Sequence, residues 1–161
     1  MSLEVRIIPI LTDNYVFVLR SADEVVIVDP GDHKPVIQKL NEWNWRPSKI
    51  LNTHHHWDHT DGNIALKNTY GLDVYCSDYD KHRIPGADHF LSEGQILNIG
   101  DTQCEIFYLP GHTLGHIAYY FANEKCLFVG DTLFSLGCGK LFEGTFAQLF
   151  HSLKRLTQLP L

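Results

Sequence analysis

The sequence predicts an α+β domain built in layers, a sheet-on-sheet core with helices outside. Short β-branched and aromatic runs bounded by turn residues recur along the chain. Three other stretches carry apolar residues at helical spacing. The resulting order is strands, helix, strand, helix, strands, helix, which suits packed layers. No GxGxxG follows the first strand, so a dinucleotide-binding domain is not supported.

Glu4 to Ile10 and Tyr15 to Arg20 are rich in Val, Ile and aromatics and flank the turn-forming Leu-Thr-Asp-Asn, which predicts an antiparallel pair. Glu24 to Val28 is a third strand, stopped by Asp29-Pro30-Gly31-Asp32. Val36, Ile37, Leu40 and Trp43 give His33 to Trp43 a helical apolar face. Ser48 to Thr53 is a strand running into a histidine cluster. Asp61 to Tyr70 is an amphipathic helix and Asp73 to Cys76 a short strand. Asp78 to Gly94 has weak patterning and reads as loop. Gln95 to Ile99, Gln103 to Leu109, Ile117 to Phe121 and Lys125 to Val129 read as strands with turns between them. The last helix, Phe146 to Leu156, sets Phe146, Leu149, Phe150, Leu153 and Leu156 on one face.

At 161 residues the chain suits one domain. Thirteen basic against nineteen acidic side chains give a net charge of −6, which argues against a nucleic-acid surface. No apolar run approaches the ~18 residues of a membrane span, and the N-terminus lacks a basic stretch followed by an apolar one. The four cysteines, Cys76, Cys104, Cys126 and Cys138, have no tight CxxC spacing. A cytoplasmic, monomeric protein with reduced thiols is expected.

Histidine is the unusual residue: there are ten, and four fall at His54, His55, His56 and His59. His54 and His56 are two apart, which sets both imidazoles on one side of extended chain. Asp58 and His59 follow on the turn. Imidazole nitrogen and carboxylate oxygen together suit a divalent ion, zinc first, with iron or manganese also tolerated. His112 and Asp131 each lie just past another predicted strand, so three strand ends deliver metal-capable residues to one region. His55 alternates against its neighbours and points away. His33, His82, His89 and His151 read as surface or satisfied core residues. Gly137-Cys138-Gly139-Lys140 is not a P-loop, because the spacing and the following Ser/Thr are absent; by itself it reads as a flexible loop.

Thr53-His54-His55-His56-Trp57-Asp58-His59 resembles the HxHxDH signature of the metallo-β-lactamase superfamily. Val28-Asp29-Pro30-Gly31, Pro110-Gly111-His112 and Gly130-Asp131 follow in that superfamily's order. Within it, Pro110 to His116 and Gly137-Cys138-Gly139-Lys140-Leu141-Phe142-Glu143-Gly144-Thr145 are similar to the glyoxalase II family. The resemblance implies a four-layer αββα sandwich over residues 1–161 with two metals at one edge. It implies that His54, His56 and His112 hold the first ion, that Asp58 and His59 begin the second site, and that Asp131 bridges both. Asp58 and Asp131 would also serve the catalysis. Asp29 and His116 would orient the ligands, Lys140 would meet a glutathione carboxylate, and Phe142 would lie beside it where many members carry Tyr. The implied activity is hydrolysis of S-2-hydroxyacylglutathione thioesters, S-D-lactoylglutathione giving D-lactate and glutathione, with no other partner than this small-molecule substrate.

Family members continue beyond the point that matches Leu161. That portion supplies a further histidine and a helical domain, so a weak second site and an uncovered sheet edge or apolar face are expected here. Two other readings follow: a mononuclear iron persulfide dioxygenase using the first site alone, and a shortened metal-binding chain with little turnover.

Overall fold

The computed structural model describes residues 3–160. Its core is two sheets packed face to face. The first has six strands in the order β1-β2-β3-β4-β5-β6. β1 (Glu4–Ile10), β2 (Asn14–Ser21) and β3 (Glu24–Val28) pair antiparallel. β4 (Lys49–Leu51), β5 (Asp73–Ser77) and β6 (His89–Leu91) add parallel to β3 in turn. The second sheet is antiparallel, in the order β10-β9-β8-β7, from β7 (Ile96–Ile99), β8 (Thr102–Tyr108), β9 (Ile117–Phe121) and β10 (Cys126–Phe128).

Alternation along the strands splits the apolar side chains between two layers. Val18, Ile27, Ile50 and Val74 face one way and meet Val36, Leu40 and Leu66 of the helices α1 (His33–Trp43) and α3 (Asn63–Tyr70). Leu19, Val26, Val28 and Leu51 face the other way and meet Cys104, Ile106, Tyr119 and Phe121 of the second sheet. The fourth layer is α4 (Phe146–Leu156), whose Arg155 guanidinium lies 5.0 Å over Phe107 on the outer face of that sheet. The layered α+β reading therefore holds.

Local chemistry sets the helix ends. The Asp32 carboxylate accepts the Lys34 N–H at the start of α1, and Asn44 closes it in the left-handed region. Thr145 and Gln148 form a capping box on α4. Two expectations fail. β6 falls inside the stretch read as loop: it is three residues long, and its parallel pairing with β5 is a tertiary choice without a local period. On α4, Leu149 and Ser152 are buried, while Phe146 and Phe150 are 83% and 69% exposed. The contact face is narrow because Leu149 lies against Gly111 and the Ser152 hydroxyl donates to the Pro110 carbonyl.

Candidate metal centre

Five chain connections meet at one edge of the sandwich. β4 ends at Leu51, and the chain leaves the sheet through Asn52 and Thr53 to carry His54, His55 and His56 into the short helix α2 (Trp57–Thr60), which bears Asp58 and His59. The β8–β9 connection carries His112 and His116. A 3₁₀ turn, Gly130–Thr132, carries Asp131 after β10. Asp29 follows β3, and Asn14 opens β2. Gly31 lets the Asp29 loop press on α2, since a Cβ there would stand 1.8 Å from the Asp58 carbonyl oxygen.

His54, His56 and His112 bring three ring nitrogens to a common focus. His54 Nε2 is 3.1 Å from His56 Nδ1, and His112 Nε2 is 3.0 Å from the same atom. A tetrahedral ion with Zn–N of 2.0–2.1 Å needs its nitrogens about 3.3 Å apart, so the residues fit a divalent metal. The tautomers fit too. His112 Nδ1 donates to the Lys140 carbonyl at 2.6 Å, which leaves the Nε2 lone pair facing inward. The Thr53 hydroxyl donates to Asp29 Oδ2 at 2.6 Å, so it accepts from His54 Nδ1 at 3.0 Å, and His54 Nε2 is likewise free inward. Burial, then the neighbouring imidazoles His116, His59, His112 and His56, hold His54 well below the usual histidine range. His56 is lowered by burial and by His112. Neutral imidazole is the form that binds metal.

The adjoining half is acidic. His59 Nδ1 donates to Asp29 Oδ2 at 3.1 Å, and its Nε2 lies 3.2 Å from Asp131 Oδ1 and 3.6 Å from Asp58 Oδ2. Burial pulls His59 down, but Asp29 and Asp131 outweigh it and raise the group to about 10. Asp131 also reaches the first half, with Oδ2 3.4 Å from His112 Nε2. Burial would raise its carboxyl, yet His59 and the other imidazoles hold it below the usual range. A second buried group able to hold a metal is Asp29, His54 and His59. Asp29 is the less available member: Oδ1 takes the Thr53 N–H at 2.7 Å while Oδ2 takes the Thr53 hydroxyl and His59.

His116 is fully buried and stacks on His54 with centroids 4.8 Å apart. Its Nε2 accepts the Asp131 N–H at 3.1 Å and its Nδ1 faces the Thr132 hydroxyl at 3.3 Å. Burial and His112 push it down to about 3, so it stays neutral and fixes the turn that carries Asp131.

The Gly137–Thr145 stretch is built against the site. A Cβ on Gly139 would stand 1.9 Å from the Asp131 carbonyl oxygen and 2.8 Å from His112 Nδ1. Phe142 sets its ring edge-on to His56 and His112, at 5.0 and 5.2 Å, and the Lys140 ammonium lies 5.2 Å over Phe142. His55 turns its nitrogens toward Asp80 and Glu143 at 3.5 and 3.7 Å, away from the focus. His82, His89 and His151 are exposed; His33 and His89 sit beside Asp32 and Asp73 at 4.0 and 3.2 Å.

Asn14 was not singled out from the sequence. Its amide donates to Asp58 Oδ2 at 2.9 Å and to the Asp58 carbonyl at 3.4 Å. The one signal was its place in a turn between two strands. Thr53 lies inside the histidine motif, but its sequence context signals no role of its own.

A cavity of about 630 Å³ opens beside the acidic half, lined by Asp58, His59 and Asp131 together with the aromatic Tyr15, Phe128 and Phe134. Among the described residues no helix is long and apolar enough to cross a membrane.

The family model of the metallo-beta-lactamase superfamily matches residues 10–161. The hydroxyacylglutathione hydrolase of Pelagibacter ubique is 46% identical over 160 residues, covering 98% of this chain and 67% of its own length. That of Methylococcus capsulatus is 45% identical, with 98% and 62% covered, so the chain spans about two thirds of the length of these relatives. Among solved structures, the BLEG-1 B3 metallo-beta-lactamase superposes with a TM-score of 0.89 at 31% identity, covering 98% of this chain and 87% of that one. The ETHE1 structure from Myxococcus xanthus gives 0.82 at 26% identity, with 98% and 71% covered. On the fold, the histidine motif and these likenesses, the chain belongs to the metallo-β-lactamase superfamily and groups within it with the hydroxyacylglutathione hydrolases.

Proposed function

We propose that the protein hydrolyses S-2-hydroxyacylglutathione thioesters, S-D-lactoylglutathione above all, as a cytoplasmic monomer dependent on divalent metal, zinc first. The observation that carries the reading is the Gly139–Gly144 segment lying over the three-histidine focus. Its backbone holds His112, and its Lys140 and Phe142 side chains stand at the rim. Relatives sharing this chain at 42–48% identity carry the name hydroxyacylglutathione hydrolase. All four cysteines are unpaired, which suits a reducing compartment.

In this reading His54, His56 and His112 hold one ion, Asp58 and His59 the other, and Asp131 reaches both. The chemistry a divalent ion supplies at such a site is Lewis acidity toward a carbonyl oxygen and a lowered pKa for water. The chain's residues do the rest. Asp29 and Thr53 fix the rings of His54 and His59. Asp58, held by Asn14, keeps one carboxylate oxygen for a proton of the attacking water. Lys140 meets a carboxylate of the glutathione moiety, and Phe142 offers an apolar edge beside it. The leaving group is a thiolate whose parent thiol has a pKa near ~8.5, so it departs without a dedicated acid.

The test is loss of the thioester absorbance of S-D-lactoylglutathione with zinc-loaded protein and with Asp131→Ala. Turnover by the wild type and its loss in the variant are expected; a variant of unchanged rate sinks the assignment. The second reading, persulfide oxidation at a single iron, draws on the completeness of the His54, His56, His112 group by itself. Metal analysis with an oxygen-uptake assay separates the two.

A further inference from the structure

One side-chain cluster beside the site has no part in the chemistry above. Asp80 and Arg83 come from the β5–β6 connection, His55 from the histidine loop and Glu143 from the Gly139–Gly144 segment. Asp80 is fully buried. The Arg83 guanidinium donates to Asp80 Oδ1 and to both carboxylate oxygens of Glu143. Glu143 Oε2 also accepts the Leu114 N–H at 2.9 Å. One arginine thus fastens Glu143 to a buried anion, and Glu143 in turn fastens the loop that carries His112.

Backbone bonds continue the seam. The Phe142 N–H donates to the His112 carbonyl at 3.1 Å, and the Gly144 N–H to the Gly111 carbonyl at 3.0 Å. The Lys140 carbonyl accepts His112 Nδ1. Outward of these contacts the Lys140 and Phe142 side chains are exposed. A planar guanidinium bridging two carboxylates restricts orientation as well as distance, which a lysine does not reproduce.

We infer that Arg83 and Glu143 are positioning residues, a clamp that presses the Gly139–Gly144 segment onto the Pro110–Leu114 loop, so that the Lys140 carbonyl holds the His112 ring with Nε2 toward the focus and the Lys140 side chain stands where substrate arrives. The His112 part stands on the geometry alone; the substrate part rests on the thioesterase reading.

Glu143→Gln is the primary variant, since it keeps the volume and an acceptor for Leu114 but loses the charge paired with Arg83. Arg83→Lys is the second, and it keeps a cation beside buried Asp80. Zinc affinity is read by competition with a chromophoric chelator, and melting is followed without metal. Affinity is expected to fall about tenfold in Glu143→Gln, in the range for losing an outer partner of a ligand. The metal-free melting temperature should move no more than in Glu42→Gln, which breaks the exposed Lys39–Glu42 pair. Arg83→Lys should recover part of the affinity relative to Arg83→Met. With saturating zinc, KM for S-D-lactoylglutathione should rise severalfold while kcat changes less. Unchanged zinc affinity in Glu143→Gln and Arg83→Met overturns the clamp, as does a loss that tracks only the metal-free melting temperature. Wild-type protein that binds zinc but leaves the thioester intact would defeat the substrate reading, and the affinity comparison would still decide the clamp.

Discussion

The two halves of the site differ in what their donors already hold. In the acidic half, His59 is gripped by Asp29 and Asp131 and Asp58 by Asn14, so each charge has a partner within the protein. In the imidazole half, His54, His56 and His112 turn nitrogens toward one another at 3.0 to 3.1 Å, and His54 and His56 are held below the usual histidine range by burial first and then by neighbouring imidazoles, His116 foremost for His54 and His112 for His56. The acidic half is a satisfied cluster that keeps its shape unaided. The imidazole half gathers three ring nitrogens around one point, where a divalent ion would find three neutral donors. On the two-ion reading proposed above, the histidine triad should fill first, because a second ion would have to compete with ion pairs already made.

The largest effect tests that order directly. Excess zinc should stabilise by about 3–4 kcal/mol when it exceeds its Kd by 100- to 1,000-fold. For a chain of this size that raises the melting temperature by about 5–16 °C. His112→Ala should abolish the shift, and a chelator should reverse it in the wild type. A shift of full size in His112→Ala would mean that the acidic half, and not the triad, is the tight site. Asp131→Ala comes next. Asp131 touches His59 and His112, at 3.2 and 3.4 Å, so its loss uncouples the halves. Thioester turnover should fall more than about 100-fold, beyond the 10–100-fold typical of an outer partner, while one equivalent of zinc still binds.

How much of this was legible beforehand also divides along the two halves. The triad was readable because i, i+2 histidines at a strand end are a local pattern, and His112 sits at another strand end. The layered fold was readable because period-two and helical spacings are local too. The hydrogen bonds that tune the site were not. Asn14 reaches Asp58 across 44 residues and Arg83 reaches Glu143 across 60, and in sequence both sit among ordinary turn residues. β6 was missed for the same reason, as pairing with β5 decides it. Gly139 is an intermediate case. The motif marked it, but only the fold shows that its missing Cβ is the space between Asp131 and His112.

Gly139 therefore offers a smaller perturbation that presses on both halves at once. In Gly139→Ala the added carbon meets the Asp131 carbonyl oxygen, and backbone must give way. Strain of this kind costs about 1–3 kcal/mol. Since the displaced atoms belong to both halves, zinc affinity should fall at the first and second equivalents together. Gly137→Ala is the matched control, because a Cβ at Gly137 meets nothing within 4 Å. Loss confined to one equivalent would show that the halves are mechanically separate.

Asn14→Ala should give the smallest change and the most selective one. The Asn14 amide donates to Asp58 Oδ2 and to the Asp58 carbonyl, lies 3.5 Å from His59 Nε2, and contacts no atom of the triad. A hydrogen bond to a charged group is worth about 1.5–3 kcal/mol. Asp58 is partly exposed, with 27% of its side chain open to solvent, so water replaces some of that. The expected loss is about tenfold in affinity for the second equivalent, with the first equivalent and the metal-free melting temperature unchanged. Asn14→Leu sharpens the point: it fills nearly the same space without a donor, so it should lose as much as Ala if the amide acts as a donor. Recovery of the affinity in Asn14→Leu would show that Asn14 acts by packing alone, and a loss at the first equivalent would show that the imidazole half depends on its acidic neighbour for shape.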